Sequence, residues 1–115
     1  MKEAPQILIV EDSPTQAAQL RYILEEQRYG VAVAVNGREG LLAVNRRWPA
    51  LIISDIEMPE MDGYEMTLAI KQDTSLGKIP IILLSGLSNP GDIVRGINAG
   101  AEDRKSTRLN SSHRL

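Results

Sequence analysis

Side chains that could do chemistry stand directly after three of the four short apolar runs in this sequence. Glu11 and Asp12 follow the first run, Asp55 ends the third, and Ser85 follows the fourth. Carboxylates brought close together repel one another, and a hard divalent cation with oxygen ligands relieves that repulsion. Magnesium suits such a site, because it takes one or two carboxylates, keeps waters and leaves room for a phosphoryl oxygen. The residue types therefore predict a magnesium site built around Asp55.

Each of these side chains also has a purely structural interpretation. Asp12 could cap a helix near its positive end, an effect worth about 0.5 to 2 kcal/mol. Ser85 could bond the backbone where a strand runs into a loop, and Asp55 could be a polar strand end before an ordinary loop. Taken singly these alternatives stay open, but they do not predict the shared placement at the carboxyl ends of strands.

The elements that must position these residues alternate along the chain. The predicted strands are residues 7–10, 31–35, 51–55 and 81–84, and the predicted helices are residues 14–28, 38–47, 64–72 and one that starts at Asn89-Pro90 with Gly100 as its C-terminal cap. Such alternation with short connections predicts an α/β fold with a doubly wound parallel sheet and right-handed crossovers. Asp12 and Asp55 then converge in one crevice if the first and third strands are neighbours at the switch point.

Two helices have further sequence signals. Ser13 is predicted to be an N-cap with Pro14 at the first helical position. Leu41, Val44 and Trp48 are predicted to form the apolar face of the second helix, which Pro49 stops. These signals place one helix directly after the acidic pair.

Composition excludes several classes of function. The 115 residues fit one domain, and the absence of cysteine excludes disulfides, thiolate zinc sites and a catalytic thiol. Residues 1–103 carry all 15 Asp and Glu with only 9 Lys and Arg, so nucleic acid is not an expected partner of this domain. No signal peptide and no apolar run of about 18 residues is found, which predicts a cytoplasmic protein without a membrane span.

Four segments together carry a family resemblance. ILIVEDSP, LIISDIEMPEMDG, IPIILLSG and NAGAED, in this order and spacing over residues 7 to 102, resemble the receiver domain of two-component response regulators. The resemblance implies a flavodoxin-like sheet and a signalling domain rather than an enzyme. It also implies magnesium as cofactor and a sensor histidine kinase or a histidine phosphotransfer protein as partner.

The resemblance assigns roles to individual positions. Asp55 matches the phosphoacceptor, and Glu11 and Asp12 match the acidic pair that helps to hold magnesium. Glu57 matches the position whose backbone carbonyl binds the metal, and Ser85 matches the hydroxyl that turns toward the phosphoryl group. No residue matches the conserved lysine of the family.

The C-terminal segment departs from the family pattern. The family continues with a fifth strand ending in Lys-Pro and a fifth helix, whereas residues 104–115 hold four Lys and Arg and no apolar run. Residues 103–113 can be reverse-translated into a sequence like a common short-read sequencing adapter. We therefore predict an incomplete receiver domain over residues 1–103, lacking the last strand and helix, followed by a non-native tail over residues 104–115.

Two alternative functions remain at this point. One is a degenerate receiver that acts as a non-phosphorylated protein interaction module. The other is a phosphohydrolase of the haloacid-dehalogenase type, which also has a nucleophilic aspartate on a parallel sheet. That class has a second acid two residues after the nucleophile, which Glu57 fits only loosely.

Overall fold

Short parallel strands form the centre of this computed structural model, which describes residues 6–84 and the backbone of residues 113–114. The elements are β1 (Gln6–Val10), α1 (Pro14–Glu26), β2 (Gly30–Ala34), α2 (Gly37–Arg46), β3 (Leu51–Asp55), α3 (Gly63–Lys71), a 3-10 helix (Leu76–Lys78), β4 (Ile81–Leu84) and β5 (His113–Arg114). The sequence predicted β1 to β4 and α1 to α3, with the bounds of β3 and β4 exact and the ends of the others within two residues. The helix predicted to start at Asn89 lies outside the described residues.

The sheet has the strand order β2-β1-β3-β4-β5, with every pair parallel. This is the order of flavodoxin-like sheets, in which the chain reverses direction of winding between β1 and β3. The crevice at such a switch point lies beyond the carboxyl ends of the two strands. The predicted fold class and the predicted adjacency of the first and third strands are confirmed.

Helices cover both faces of the sheet. On one face Leu20 and Leu24 of α1 pack against the strands, and on the other face Val44 of α2 and Met66 and Ile70 of α3 do so. The strand side chains alternate between these two layers because successive residues of a strand point to opposite faces. Each large apolar side chain buried in this way contributes about 1.5 to 3 kcal/mol.

Polar side chains fix where each helix begins. The Ser13 hydroxyl accepts a hydrogen bond from the Gln16 N–H at 3.3 Å, which confirms the predicted cap of α1. Asn36 caps α2 through the Glu39 N–H at 2.9 Å. At α3 the cap is Asp62, which is part of a reciprocal pair described with the site below.

Trp48 does not belong to the core, and the prediction that it shares the apolar face of α2 is wrong. The helix ends at Arg46 because Arg47 is extended, with φ −152° and ψ 117°. Trp48 therefore lies beyond the helix and is 58% exposed, whereas Val44 is fully buried. Pro49 disfavours the helical conformation for Trp48, the residue before it. The apolar spacing of Leu41, Val44 and Trp48 therefore continues past the end of the helix.

A two-residue strand from the C-terminal segment adds to the edge of the sheet. His113 and Arg114 pair in parallel with Ile82 and Leu83 of β4. The sequence predicted no strand in this segment. An edge strand offers unpaired N–H and C=O groups to any extended segment, which accounts for pairing without an apolar sequence.

Candidate functional site

The carboxyl ends of β1 and β3 bring the candidate residues together. Val10 and Ser54 are partners in the parallel register, so Glu11 and Asp55 emerge side by side at the same edge. The Glu11 N–H donates a 3.0 Å hydrogen bond to the Ala34 carbonyl of β2. This bond continues the β1–β2 pairing by one residue and restrains the Glu11 backbone. Asp12 follows in the turn that leads to α1.

Three carboxylates form one acidic cluster at this edge. Glu11, Asp12 and Asp55 each offer an oxygen atom, and these atoms all lie within 4.8 Å of one another. Glu11 is 8% exposed, Asp55 is half-buried and Asp12 is exposed. The cluster therefore opens from a buried carboxylate toward solvent, as a site that receives a ligand from outside would.

Burial and mutual repulsion alter the protonation of the two inner members of the cluster. Burial, and to a lesser degree the charges of Asp55 and Asp12, raise the pKa of Glu11 from 4.5 to about 7, against the hydrogen bond from the Ser13 N–H at 3.1 Å. Burial also raises the pKa of Asp55, as do the charges of Asp12 and Glu57. The ionised forms of both carboxylates are therefore disfavoured in the folded protein, and an oxygen-binding cation would stabilise them.

Hydrogen bonds from the two adjacent residues restrain Asp55. The Ile56 N–H donates a hydrogen bond to Asp55 Oδ1 at 2.8 Å, which favours the ionised carboxylate. The hydroxyl of the fully buried Ser54 donates to the Asp55 carbonyl at 2.8 Å. The first contact restrains the carboxylate and opposes, without cancelling, the rise in the pKa of Asp55 that burial causes, and the second restrains the Asp55 backbone.

The loop from Ile56 to Asp62 connects Asp55 to α3 and carries the other candidate ligand. Glu57 has an exposed side chain in this loop. The loop turns tightly at Glu60, which has φ 66°, and the Met61 N–H donates to the Pro59 carbonyl at 2.7 Å. A positive φ is uncommon for a residue other than glycine and indicates a loop held by its surroundings.

Two glycines hold the ends of this loop. The Gly37 N–H at the start of α2 donates to the Met61 carbonyl at 3.0 Å, and the Gly63 N–H donates to the Ile56 carbonyl at 2.8 Å. Asp62 and Glu65 close a capping box at α3, with hydrogen bonds of 2.8 Å and 3.0 Å between each side chain and the other residue's N–H. The sequence analysis recognised only a turn at Asp62-Gly63 and missed the contacts between this turn and Asp55.

The structure thus brings together three of the predicted site residues, Glu11, Asp12 and Asp55, and places Glu57 in the adjoining loop. Ser85 lies outside the described residues, and its predicted role stays a prediction. The predicted metal contact of the Glu57 carbonyl also stays a prediction.

An apolar groove of about 280 Å³ opens from the acidic cluster between α1 and the end of β2. Its walls beyond Glu11 and Asp12 are formed by Pro14, Ala17, Ala18, Arg21, Val33 and Val35. Arg21 also pairs with Glu25 on the exposed side of α1 at 3.2 Å. Within residues 6–84, no helix is long and apolar enough to cross a membrane.

Comparison with known proteins identifies one family throughout. The sequence profile described as "Response regulator receiver domain" matches residues 7–106. Protein PilH of Pseudomonas aeruginosa is 34% identical over 97 residues, which cover 84% of this chain and 80% of PilH. Some relatives are much longer, and the chain spans only 12% to 21% of their lengths.

Solved structures give the same result. The signal receiver domain of a signal transduction histidine kinase from Syntrophus aciditrophicus is 50% identical, with a TM-score of 0.70 over 84% of this chain and 74% of that domain. A receiver domain of a sensor histidine kinase from P. aeruginosa PAO1 shares the fold, with 20% identity and a TM-score of 0.77 over 84% of this chain and 96% of that one. That second structure contains a magnesium ion coordinated in its active-site cleft. These comparisons support a receiver and give no support to the haloacid-dehalogenase alternative.

Proposed function

This chain belongs to the response regulator receiver domain family, and from this premise we propose that Asp55 accepts a phosphoryl group from a histidine kinase or a histidine phosphotransfer protein. The chain is then a phosphoacceptor of a two-component signalling system. The observation that carries the assignment is the convergence of Glu11, Asp12 and Asp55 within 4.8 Å at the switch point of the sheet. The Asp55 carboxylate stands at the end of β3 and accepts a hydrogen bond from the Ile56 N–H at 2.8 Å.

The chemistry requires a nucleophilic carboxylate and a place for negative charge. A carboxylate oxygen of Asp55 attacks phosphorus of a phosphohistidine, the P–N bond breaks, and the leaving imidazole takes up a proton from solvent. The product is an acyl phosphate on Asp55. Phosphoryl transfer of this kind depends mainly on positioning and electrostatic stabilisation, which a fixed carboxylate beside a cation site supplies.

Magnesium is the cation that fits this set of donors. Glu11, Asp12 and Asp55 would hold it through carboxylate oxygens, and Glu57 would add its backbone carbonyl; all are hard ligands. When bound, the ion neutralises charge on the phosphoryl oxygens during transfer. The raised pKa values of Glu11 and Asp55 support this proposal, because burial first and neighbouring carboxylates second disfavour the ionised forms, which a bound cation would stabilise.

The apolar groove beside the cluster supports a protein rather than a small molecule as phosphodonor. Ala17 and Ala18 of α1 and Val33 and Val35 near the end of β2 present apolar surface next to Asp12. A partner that packs there would bring its histidine to the mouth of the crevice. We place this exchange in the cytoplasm, and we propose that the domain signals without turning over a substrate.

Phosphorylation would act beyond Asp55 by adding a charge of about −2, which attracts hydrogen-bond donors. Ser85 follows β4 directly, and β4 lies beside β3 with Asp55 and Leu84 in register. We propose that its hydroxyl turns toward the new phosphoryl group.

Acetyl phosphate tests the proposal without a cognate kinase. The full chain is incubated with acetyl phosphate, with and without Mg²⁺, and labelling is followed by intact mass. We expect one phosphate per chain, dependent on Mg²⁺, labile to hydroxylamine as an acyl phosphate is, and mapped to Asp55 by borohydride reduction. No labelling, combined with no binding of Mg²⁺ or beryllofluoride, would favour a degenerate receiver.

A further inference from the structure

Gly63 touches the backbone of Asp55 directly. A β-carbon at position 63 would lie 2.3 Å from the Asp55 carbonyl oxygen and 3.1 Å from the Ile56 Cα. Both are backbone atoms, which cannot rotate aside as the end of a flexible side chain can. The first residue of α3 is therefore seated against the peptide that joins Asp55 to the loop.

Glycine is needed here because of this contact and not because of its torsion angles. Within the described residues no glycine has a positive φ, so the backbone of Gly63 is one that any residue adopts. Alanine is the better helix former in general. An alanine at this position would be tolerated or favoured if the space beside Asp55 were open.

Two hydrogen bonds connect Gly63 to the Asp55 carboxylate through Ile56. The Gly63 N–H donates to the Ile56 carbonyl at 2.8 Å, and the Ile56 N–H donates to Asp55 Oδ1 at 2.8 Å. The position of Gly63 thus sets the position of Ile56, and Ile56 orients the carboxylate.

Hydrogen bonds within the first turn of α3 restrain Gly63 as well. The buried Thr67 hydroxyl donates to the Gly63 carbonyl at 2.7 Å. The capping box between Asp62 and Glu65 restrains the same turn. Three hydrogen bonds therefore restrain the first turn of α3, which lies against the Asp55–Ile56 peptide.

We infer that Gly63 is a positioning residue for phosphoryl transfer, which holds the Asp55 carboxylate in place by close contact of the α3 N-terminus with the Asp55–Ile56 peptide. The inference rests on the proposed role of Asp55 and adds a residue outside the acidic cluster to the machinery. Gly63 touches neither the phosphoryl group nor the metal, and acts only through Ile56 and Asp55.

The first test uses the metal-free protein and does not depend on activity. In Gly63→Ala the added methyl group must push the Asp55–Ile56 peptide away, so the Ile56 N–H should lose its hydrogen bond to Oδ1. We expect a shifted Ile56 amide resonance in ¹H-¹⁵N spectra of the full chain and faster exchange of its amide proton. The second readout is labelling by acetyl phosphate at saturating Mg²⁺, for which we expect a rate reduced about tenfold or more, since small misplacements of reacting groups are costly.

Gly40→Ala is the matched control. A β-carbon at position 40 would lie 2.8 Å from Met66 Sδ and 3.1 Å from Val10 Cγ2, which are side-chain atoms of the core. This variant should lower the melting temperature while leaving the Ile56 amide resonance and the labelling rate of the folded protein unchanged. It separates loss of stability from loss of positioning.

A folded Gly63→Ala protein with the wild-type Ile56 resonance and labelling rate would overturn the inference. If Gly63→Ala does not fold, the pair Thr67→Val and Thr67→Ser decides: the valine variant should label several-fold more slowly and the serine variant, which keeps the hydroxyl, at the wild-type rate. Equal rates in both variants would overturn the inference. Wild-type protein that fails to label would instead refute the role of Asp55, so the two failures are distinguishable.

Discussion

Val10 and Ser54 are register partners in neighbouring parallel strands, and this pairing places Glu11 and Asp55 side by side. A shift by one residue would turn every side chain of one strand to the opposite face and bury one of these carboxylates in the core. The alternation of apolar residues between the two helix layers therefore fixes both the core and the acidic site.

Replacement of Asp55 should abolish phosphorylation. Asp55→Asn keeps the shape of the side chain and the acceptor of the Ile56 N–H but removes the nucleophilic oxygen. We expect no label from acetyl phosphate, measured by intact mass at saturating Mg²⁺. Asp73→Asn is the control, because Asp73 lies outside the site and caps Ser75 and Leu76 through an oxygen that asparagine retains. Labelling of Asp55→Asn at full stoichiometry would refute the assignment.

Magnesium affinity should depend on pH near neutrality. Glu11 has a pKa of about 7 in the metal-free protein, mainly through burial, and must lose its proton to bind the ion. The dissociation constant should therefore increase as pH falls below about 7, by up to about tenfold per pH unit. Calorimetric titrations with MgCl₂ between pH 5 and 8 measure this slope. In Glu11→Gln the slope should be reduced; an unchanged slope would show that another group carries it.

The proton on Glu11 also makes the free energy of unfolding depend on pH. The folded protein holds the Glu11 proton more tightly than the unfolded chain, in which the pKa is 4.5. The contribution of this group to the free energy of unfolding is therefore present in full below pH 4.5 and is lost as pH rises to about 7. Urea denaturation of wild type and Glu11→Gln in EDTA should show a pH-dependent difference within this window and a constant difference above it.

Much of the fold follows from local sequence signals. The apolar runs of β1, β3 and β4 and the caps at Ser13 and Pro14 act within a few residues, so strands and helices could be located closely. Trp48 shows the limit of this approach: apolar spacing placed it on the face of α2 that buries Val44, but it lies beyond the end of the helix at Arg46 and is 58% exposed. Apolar spacing indicates which residues could share a face, but it does not show whether a residue beyond the end of the helix still packs against the sheet.

The site was predicted less completely, because part of it depends on contacts between distant residues. The acidic residues were recognisable at the ends of apolar runs, and the family resemblance assigned them roles. The raised pKa of Glu11 depends first on its burial and then on the charges of Asp55 and Asp12, and both follow from the packing of the strands. The contact of Gly63 with Asp55 depends on how α3 returns to the sheet, and the Asp-Gly pair alone indicates only a turn.

Removal of one charge from the cluster should stabilise the metal-free protein and weaken the metal site. In Asp12→Asn the repulsion with Glu11 and Asp55 is relieved, and substitutions that relieve strain at functional sites commonly stabilise by about 0.5 to 2 kcal/mol. Thermal denaturation in EDTA should show the increase, and Mg²⁺ affinity should fall about tenfold or more. Glu26→Gln removes an exposed charge at the other end of α1 and should leave Mg²⁺ affinity unchanged. An Asp12→Asn protein that is less stable in EDTA would show instead that the Asp12 charge stabilises the metal-free fold.

The tail over residues 104–115 is proposed to be non-native, and the edge of β4 gives a physical reason to test this. Ile81–Leu84 is buried throughout, and a strand beside it in a doubly covered parallel sheet is ordinarily an apolar run. The residues that pair there are His113 and Arg114. DNA prepared independently from the source and read past the codon for Asp103 should encode an apolar strand ending in Lys-Pro and a further helix. A reading that reproduces Arg104 to Leu115 would contradict the proposal.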